Sequence, residues 1–488
     1  MKTIEEYLKT VDEVIKNGEF KDDWQSLSKW RTPEWYQKGR FGLFIHWGVY
    51  SYPSFGSEWY PRLMYNKNEK CCKHKAEKYG DGFEYRQLVE KFNPEKFNAD
   101  EWLSVIKESG AKYIMPVGEH HDGVKMYESE LNRWNMMKLR GRDYMAEMHK
   151  ACDKQDIGFL MSNHRAEHYW FMNYARKYYP QSEVVKNEEY RDLYGPAFLP
   201  ESGNPDKTDK EIHATKEWLE DWLASACEMI DKNRPLAVYF DWWIQKDEFK
   251  PYVKKFIAYY YNRALEWGKE VTVFYKWGAV MNGCATFDVE RGQSDEMLPV
   301  LWQNDTSIAK NSWGYTEGNE FKRPCDIIKN MIEVISKNGC YMLNIGPKPD
   351  GTICEEEKAV LKAIGAWLKI NGEAIYDALP SEIGFGEMKK QRNGAFKENK
   401  VYNKKDFCFT YKTGAFYIFP MSDKAGNKLT IKSLKHSNEN GIRYMIKNVS
   451  ILGKSNKVSF VQDEKALTVN IDGSINTDMP YCIKVEVD

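Results

Sequence analysis

Three short apolar runs in this sequence each stop on histidine or aspartate, and this pattern constrains the fold more than any other feature. Tyr113-Ile114-Met115-Pro116-Val117-Gly118 leads into Glu119-His120-His121-Asp122. Residues 41–45 lead into His46-Trp47, and residues 235–240 lead into Asp241-Trp242-Trp243. A buried strand that ends by delivering polar side chains suits the mouth of a parallel barrel. From about residue 36 to 376 such runs alternate with longer helical patterns, which is α/β grammar.

Seven strands are legible. Five end at His46, His120, Asn163, Asp241 and Tyr275, and two more lie at 300–302 and 341–345. Helical patterns fall between them, at 98–107 with Asn98 placed to cap, and at 142–154, 214–233, 251–267 and 324–337. A helix over 355–369 starts acidic, ends basic and stops at Asn371-Gly372, the polarity that helix ends favour. Seven strands are one short of a regular (β/α)8 barrel, so an irregular closure is expected. The mixed-charge stretch 186–210 reads as a solvated insertion.

Beyond Leu379-Pro380-Ser381 the texture changes to short alternating runs, as at 407–411, 415–419, 466–471 and 481–485. Residues 379–488 therefore read as a C-terminal antiparallel β-sandwich, following a catalytic barrel domain of residues 1–378.

Composition removes several function classes. Hydrophobic residues make up 42% of the 488, enough for a large core. The 71 basic and 72 acidic residues nearly cancel, so no charge surplus suits nucleic acid or an anionic membrane. No apolar run reaches the ~18 residues that a membrane span needs. The first residues are rich in charge and lack the apolar core of a secretion signal, so a cytoplasmic location is expected. Ten cysteines without a CxxC or histidine-spaced set point to thiols, and no metal or cofactor is expected.

Aromatic residues reach 15%, with 17 Trp and 31 Tyr. Most of these rings are core material, yet indoles next to strand-end His and Asp suit a carbohydrate site. Imidazoles and carboxylates hydrogen-bond hydroxyls, and indole faces pack on sugar C–H surfaces. Cleaving a glycosidic bond takes two carboxylates, one that attacks or activates water and one that protonates the leaving oxygen. Asp241 fits the first role, at the end of an apolar strand and followed by two tryptophans. An aspartate so placed also serves as a helix N-cap. For the second role Glu290, Asp288 and Glu296 share one loop between two expected strands, and the residues alone do not separate them.

Longer motifs resemble the α-L-fucosidases of glycoside hydrolase family 29. They are Trp35-Tyr36-Gln37-Lys38-Gly39-Arg40-Phe41-Gly42-Leu43-Phe44-Ile45-His46-Trp47-Gly48-Val49-Tyr50-Ser51, then Ser57-Glu58-Trp59-Tyr60 and Ser312-Trp313-Gly314-Tyr315. Asn338-Gly339-Cys340-Tyr341-Met342-Leu343-Asn344-Ile345-Gly346-Pro347 and Trp367-Leu368-Lys369-Ile370-Asn371-Gly372-Glu373 continue the series in the family's order. The resemblance implies a retaining exo-glycosidase that removes terminal α-L-fucosyl residues from oligosaccharides or glycoconjugates. It implies Asp241 as nucleophile at the end of the fourth strand. It also implies sugar binding by His46, Glu58, Trp59, His120 and His121, with Trp313 as an indole for the apolar face. In many members the acid/base precedes a Trp-Glu pair by about a dozen residues. Glu290 precedes Trp302 by twelve positions (302 − 290), and is favoured on that ground.

The chain departs from the family pattern at several positions. The Trp-Glu pair is Trp302-Gln303, and the arginine after the fifth strand is Lys276. The tyrosine at the end of the third strand is Met161, and the tryptophan two residues before the nucleophile is Tyr239. Lys276 and Tyr239 join the expected substrate-binding set. The polar segment Asn163-His164-Arg165-Ala166-Glu167-His168 is a candidate for rebuilding the site or shaping a leaving-group subsite. Three alternative readings are a fucose-binding protein impaired in catalysis, a retaining glycosidase for α-L-galactosides, and a metal hydrolase using His120, His121 and Asp122.

Overall fold

The computed structural model describes residues 3–186, 191–388, 394–398, 400–437, 444–475 and 478–488. Eight parallel strand positions close into a barrel. These are β1 (Phe41–Ile45), β2 (Tyr113–Glu119), β3 in two pieces (Gly158–Phe159 and Met161–Asn163), β4 (Ala237–Phe240), β5 (Thr272–Lys276), β6 (Thr286–Glu290), β7 (Trp302–Ser307) and β8 (Gly339–Ile345). β1 pairs with both β2 and β8, which seals the ring. Most of these strands are buried on both faces because helices cover the outside, so they read as unbroken apolar runs.

The strand missing from the sequence reading is β6, the segment read there as a loop. It alternates buried Thr286, Asp288 and Glu290 with half-buried Phe287 and Val289. The buried face carries the polar residues, so no apolar run marks the strand. The irregularity of this barrel lies instead at β3, which breaks at Leu160 and shifts register against β2 between Val117 and Glu119.

The barrel interior is filled by Phe44, Tyr113, Met115, Val117, Leu160, Tyr239, Phe274 and Met342, with Tyr36 and Trp35 packed against them. The helices start where the caps direct. Asn98 accepts from the backbone N–H groups of Asp100 and Glu101 and opens Ala99–Glu108. Glu355–Asn371 begins with three glutamates and ends near Lys369. The stretch 186–210 is not purely a solvated insertion. Tyr194 and Ala197 are buried, and Arg62 reaches the carbonyl of Pro205 at 2.9 Å, although residues 187–190 lie outside the described ones.

The C-terminal strands are β9 (Gly386–Glu387), β10 (Phe407–Lys412), β11 (Ala415–Pro420), β12 (Lys428–Ile431), β13 (Ile446–Ile451), β14 (Val458–Gln462), β15 (Leu467–Ile471) and β16 (Ile483–Val487). They form antiparallel sheets of order β9-β10-β11-β16-β13 and β12-β15-β14. Phe409, Phe416, Ile418, Leu429, Val469 and Val485 fill the space between the sheets. The other face of β11, with Tyr417 and Phe419, joins the core of the barrel, and Trp367 donates to the carbonyl of Pro480 at 2.6 Å. All ten cysteines are free thiols. Among the described residues no helix is long and apolar enough to cross a membrane.

Candidate active site

Each barrel strand sends a polar group to one end of the ring. His46 follows β1, His120 and His121 follow β2, His164 follows β3, and Asp241 follows β4. Lys276 ends β5, Glu290 ends β6, Asp305 lies in β7, and Asn344 lies in β8. This is the C-terminal face, where barrel enzymes place their chemistry.

Asp241 is held through both of its carboxylate oxygens. Its Oδ1 accepts from the backbone N–H of Trp242 at 2.8 Å and lies 3.3 Å from Lys276 Nζ. Its Oδ2 lies 2.9 Å from His164 Nδ1 and 3.5 Å from His121 Nε2. Burial opposes its ionisation, but Lys276 and His164 outweigh it and hold the carboxyl well below the usual carboxylate range. Asp241 is therefore an anion aimed into the pocket. It begins no helix, so the capping role does not apply.

Lys276 Nζ also bonds Glu290 Oε2, which accepts a second bond from Trp242 Nε1 at 2.9 Å. One ammonium thus touches both carboxylates. The two oxygens that meet Lys276 are no more than about two hydrogen-bond lengths, roughly 6 Å, apart. Burial disfavours the charge on Lys276, but Glu290 and Asp241 more than offset this and hold its pKa well above the ordinary lysine value. The backbone of Glu290 is tied down by the Phe396 N–H, which donates to its carbonyl at 2.9 Å.

The structure separates the three acid candidates. Asp288 points into the barrel below Lys276, where Gln303 Nε2 donates to its Oδ1 at 2.9 Å. Burial and the charge of Asp305 hold Asp288 well above the usual carboxylate range. Asp305 itself is raised to about 6, first by burial, and accepts from the Tyr239 hydroxyl at 2.9 Å. Glu296 lies beyond the strand, on the turn where its N–H meets Ser294 Oγ at 3.3 Å. Of the three, Glu290 is the one that Lys276 links to Asp241.

The histidines are held as neutral tautomers. His46 Nδ1 lies 2.7 Å from Asn344 Oδ1, an oxygen that only accepts, so Nδ1 carries the proton and Nε2 is open to a hydroxyl. His121 Nδ1 likewise faces the carbonyl of His164 at 3.0 Å. His120 Nδ1 is buried without a partner among the described residues. Burial pushes His46 and His120 well below the ordinary imidazole value and His121 down to about 3.

The remaining expected residues line or brace the pocket. Trp313 lies 5.1 Å from His46, ring centre to ring centre, with the Arg291 guanidinium 4.7 Å over its own ring. Glu58 Oε2 accepts from Ser312 Oγ and the Trp313 N–H, each at 2.9 Å, so it fixes the turn that carries Trp313. Trp59 packs 5.3 Å from His121. Tyr239 commits its hydroxyl to Asp305 and packs its ring in the barrel interior, 5.8 Å from His164 and with Lys276 Nζ 5.3 Å from its ring centre.

Two site residues, His164 and Glu167, come from the polar run that the sequence offered only as a segment for rebuilding the site, without a role for either. His164 bonds Asp241, and its Nε2 lies 3.1 Å from Ser162 Oγ. Met161 is a core residue next to Gly118, so it is not the β3 side chain that reaches the nucleophile position. Glu167 sits 3.6 Å from His121 Nδ1 and is held well above the usual carboxylate range by burial and by Asp241. The signal for both was the polar run after β3. Its third charged member, Arg165, is structural, bonding Glu119 at 2.5 Å and Asp221. Among the described residues, ligand atoms converge as His46, His120 and His164, and as His121, His164 and Asp241. Asp122 belongs to neither set.

Comparison with known proteins shows the family and the fold. The family model described as Alpha-L-fucosidase matches residues 7–373. The plasma alpha-L-fucosidase of Homo sapiens is 30% identical over 374 residues, covering 73% of this chain and 72% of that one. The chain belongs to the alpha-L-fucosidase family. The tissue alpha-L-fucosidase of Rattus norvegicus is 29% identical over 374 residues, covering 74% of this chain and 73% of its own. The crystal structure of Thermotoga maritima alpha-fucosidase in complex with fucose superposes with a TM-score of 0.70 at 23% identity, spanning 96% of this chain and 100% of that one. That likeness concerns the fold, and it extends into the C-terminal sheets, past the end of the family match.

Proposed function

We propose that this protein is a retaining exo-α-L-fucosidase acting on terminal α-L-fucosyl residues of oligosaccharides or glycoconjugates. Family membership supports the sugar, and the single lysine in contact with both carboxylates is the observation that carries the mechanism. Asp241 attacks the anomeric carbon while Glu290 gives its proton to the departing oxygen, so the glycosidic bond breaks and a fucosyl ester forms on Asp241. Glu290, now a carboxylate, takes a proton from water, which attacks the same carbon and releases Asp241.

Lys276 suits both steps. With Glu290 protonated, as the first step requires, the pair carries one negative charge, on Asp241. After it the pair still carries one, on Glu290. An ammonium between them is matched by one carboxylate in both states, with no charge left unpaired in a buried site. His46, His120 and His121 bind the sugar hydroxyls, and Trp313 covers the apolar face.

Proton NMR of the first-formed fucose tests the reading. Appearance of the α-anomer first is expected, and the β-anomer first would replace retention with inversion.

A further inference from the structure

We propose that the corner formed by the Trp242 and Trp277 indoles is the leaving-group subsite, which holds the pyranose to which fucose is attached. This rests on the fucosidase reading above and adds where the second sugar sits. Protonation of the departing oxygen by Glu290 requires the leaving group to lie against that carboxyl. Trp242 is the side chain there, with its indole N–H donating to Glu290 Oε2 at 2.9 Å. The Trp277 ring stands 4.3 Å from Trp242 at an interplanar angle of 74°. Two indoles at nearly a right angle form a floor and a wall beside the acid.

The cost of placing Trp277 there points the same way. Its φ is +47°, in the left-handed region that a bulky side chain rarely adopts. Its side chain is 61% exposed, whereas Trp47, Trp222, Trp243 and Trp302 are buried. The strain is therefore not offset by packing into the core, and strained backbone that persists in this way gathers at ligand-binding positions. Trp242 is itself held by the Lys276 ammonium, 5.0 Å from its ring centre. Lys276 is already shared between two carboxylates, and the corner presents the faces of two indoles. Its ligand is a neutral pyranose that packs by its C–H face.

The test compares kcat/KM for a fucosylated disaccharide with that for α-L-fucosyl fluoride, which has no second sugar. Trp277→Ala should lower the disaccharide-to-fluoride ratio about tenfold, the scale of one lost aromatic contact. Trp277→Phe should restore most of the ratio. A ratio within about twofold of wild type in Trp277→Ala, or equal loss on both substrates, overturns the subsite. Failure of the wild-type protein on both substrates instead overturns the fucosidase reading, and the subsite with it.

Discussion

His164 Nδ1 lies 2.9 Å from Asp241 Oδ2, so the proposed nucleophile is held by an imidazole from the neighbouring strand. Ser162 Oγ lies 3.1 Å from the far nitrogen of the same ring and holds its orientation. Removing the donor leaves one carboxylate oxygen free to turn. His164→Phe should lower kcat about 10- to 100-fold, the 1.5–3 kcal/mol of one hydrogen bond to a charged group. KM should move little. His164→Asn places an amide N–H near the same point and should recover much of the loss. Equal rates for the two variants would show that His164 only fills space.

Lys276 is expected to be harder to replace. Lys276→Met leaves Asp241 and Glu290 facing each other without their shared cation. Losing one preorganised charged donor at a reacting centre costs about 2.7–4 kcal/mol, so kcat/KM should fall by about 10²- to 10³-fold. Lys276→Arg keeps the charge and should stay within about tenfold of wild type, with the difference reflecting the wider, planar head group. Steady-state kinetics on an aryl fucoside decides this, and a Met variant as active as the Arg variant contradicts the charge-matching role.

The sugar-binding histidines should not set the acid limb of activity. His46 and His120 are pushed well below the ordinary imidazole value and His121 to about 3, first by burial, so all three stay neutral across the working range. The inhibition constant of fucose should be flat from pH 5 to 8. A loss of affinity as pH falls through about 6.5 would show an imidazole titrating in the site. The same depressed values have a stability consequence. The unfolded chain binds these protons first, so this contribution is complete above about pH 6.5 and is lost as pH falls towards 3.

The two C-terminal sheets should unfold together with the barrel. Tyr417 and Phe419 belong to the core of the barrel, and Tyr417 and Lys484 both bond Glu373 at 2.6 Å. Trp367, 5% exposed, packs against Phe419 and bonds Pro480. One calorimetric transition is expected, and Trp367→Ala should lower its stability by about 3–5 kcal/mol. Two separate transitions in the wild-type protein would contradict the shared core.

Where burial and apolarity coincide, the sequence made the fold legible. β1, β2, β4 and β8 are apolar runs because helices cover their outer faces, and Asn98 marks its helix by capping it. β6 was hidden because its inward residues are Thr286, Asp288 and Glu290, whose burial is compensated by Thr272, Lys276 and Gln303 from neighbouring strands and by Trp242 beyond β4. No local pattern reveals partners so far away in the chain. The motif resemblance located most of the expected pocket residues, but His164 escaped it. His164 reaches Asp241 only because β3 breaks at Leu160 and shifts against β2, and that shift has no signature in residue order.

The central claim is that Asp241 forms a covalent bond to the sugar. Incubation with 2-deoxy-2-fluoro-α-L-fucosyl fluoride, followed by digestion and mass spectrometry, tests it most directly. The fluorine slows release more than attack, so the ester accumulates. One added fluorofucosyl group is expected on the peptide containing Asp241, and no label in Asp241→Asn. A label on Glu167, Asp288 or Glu290, or full turnover by Asp241→Asn, would contradict it.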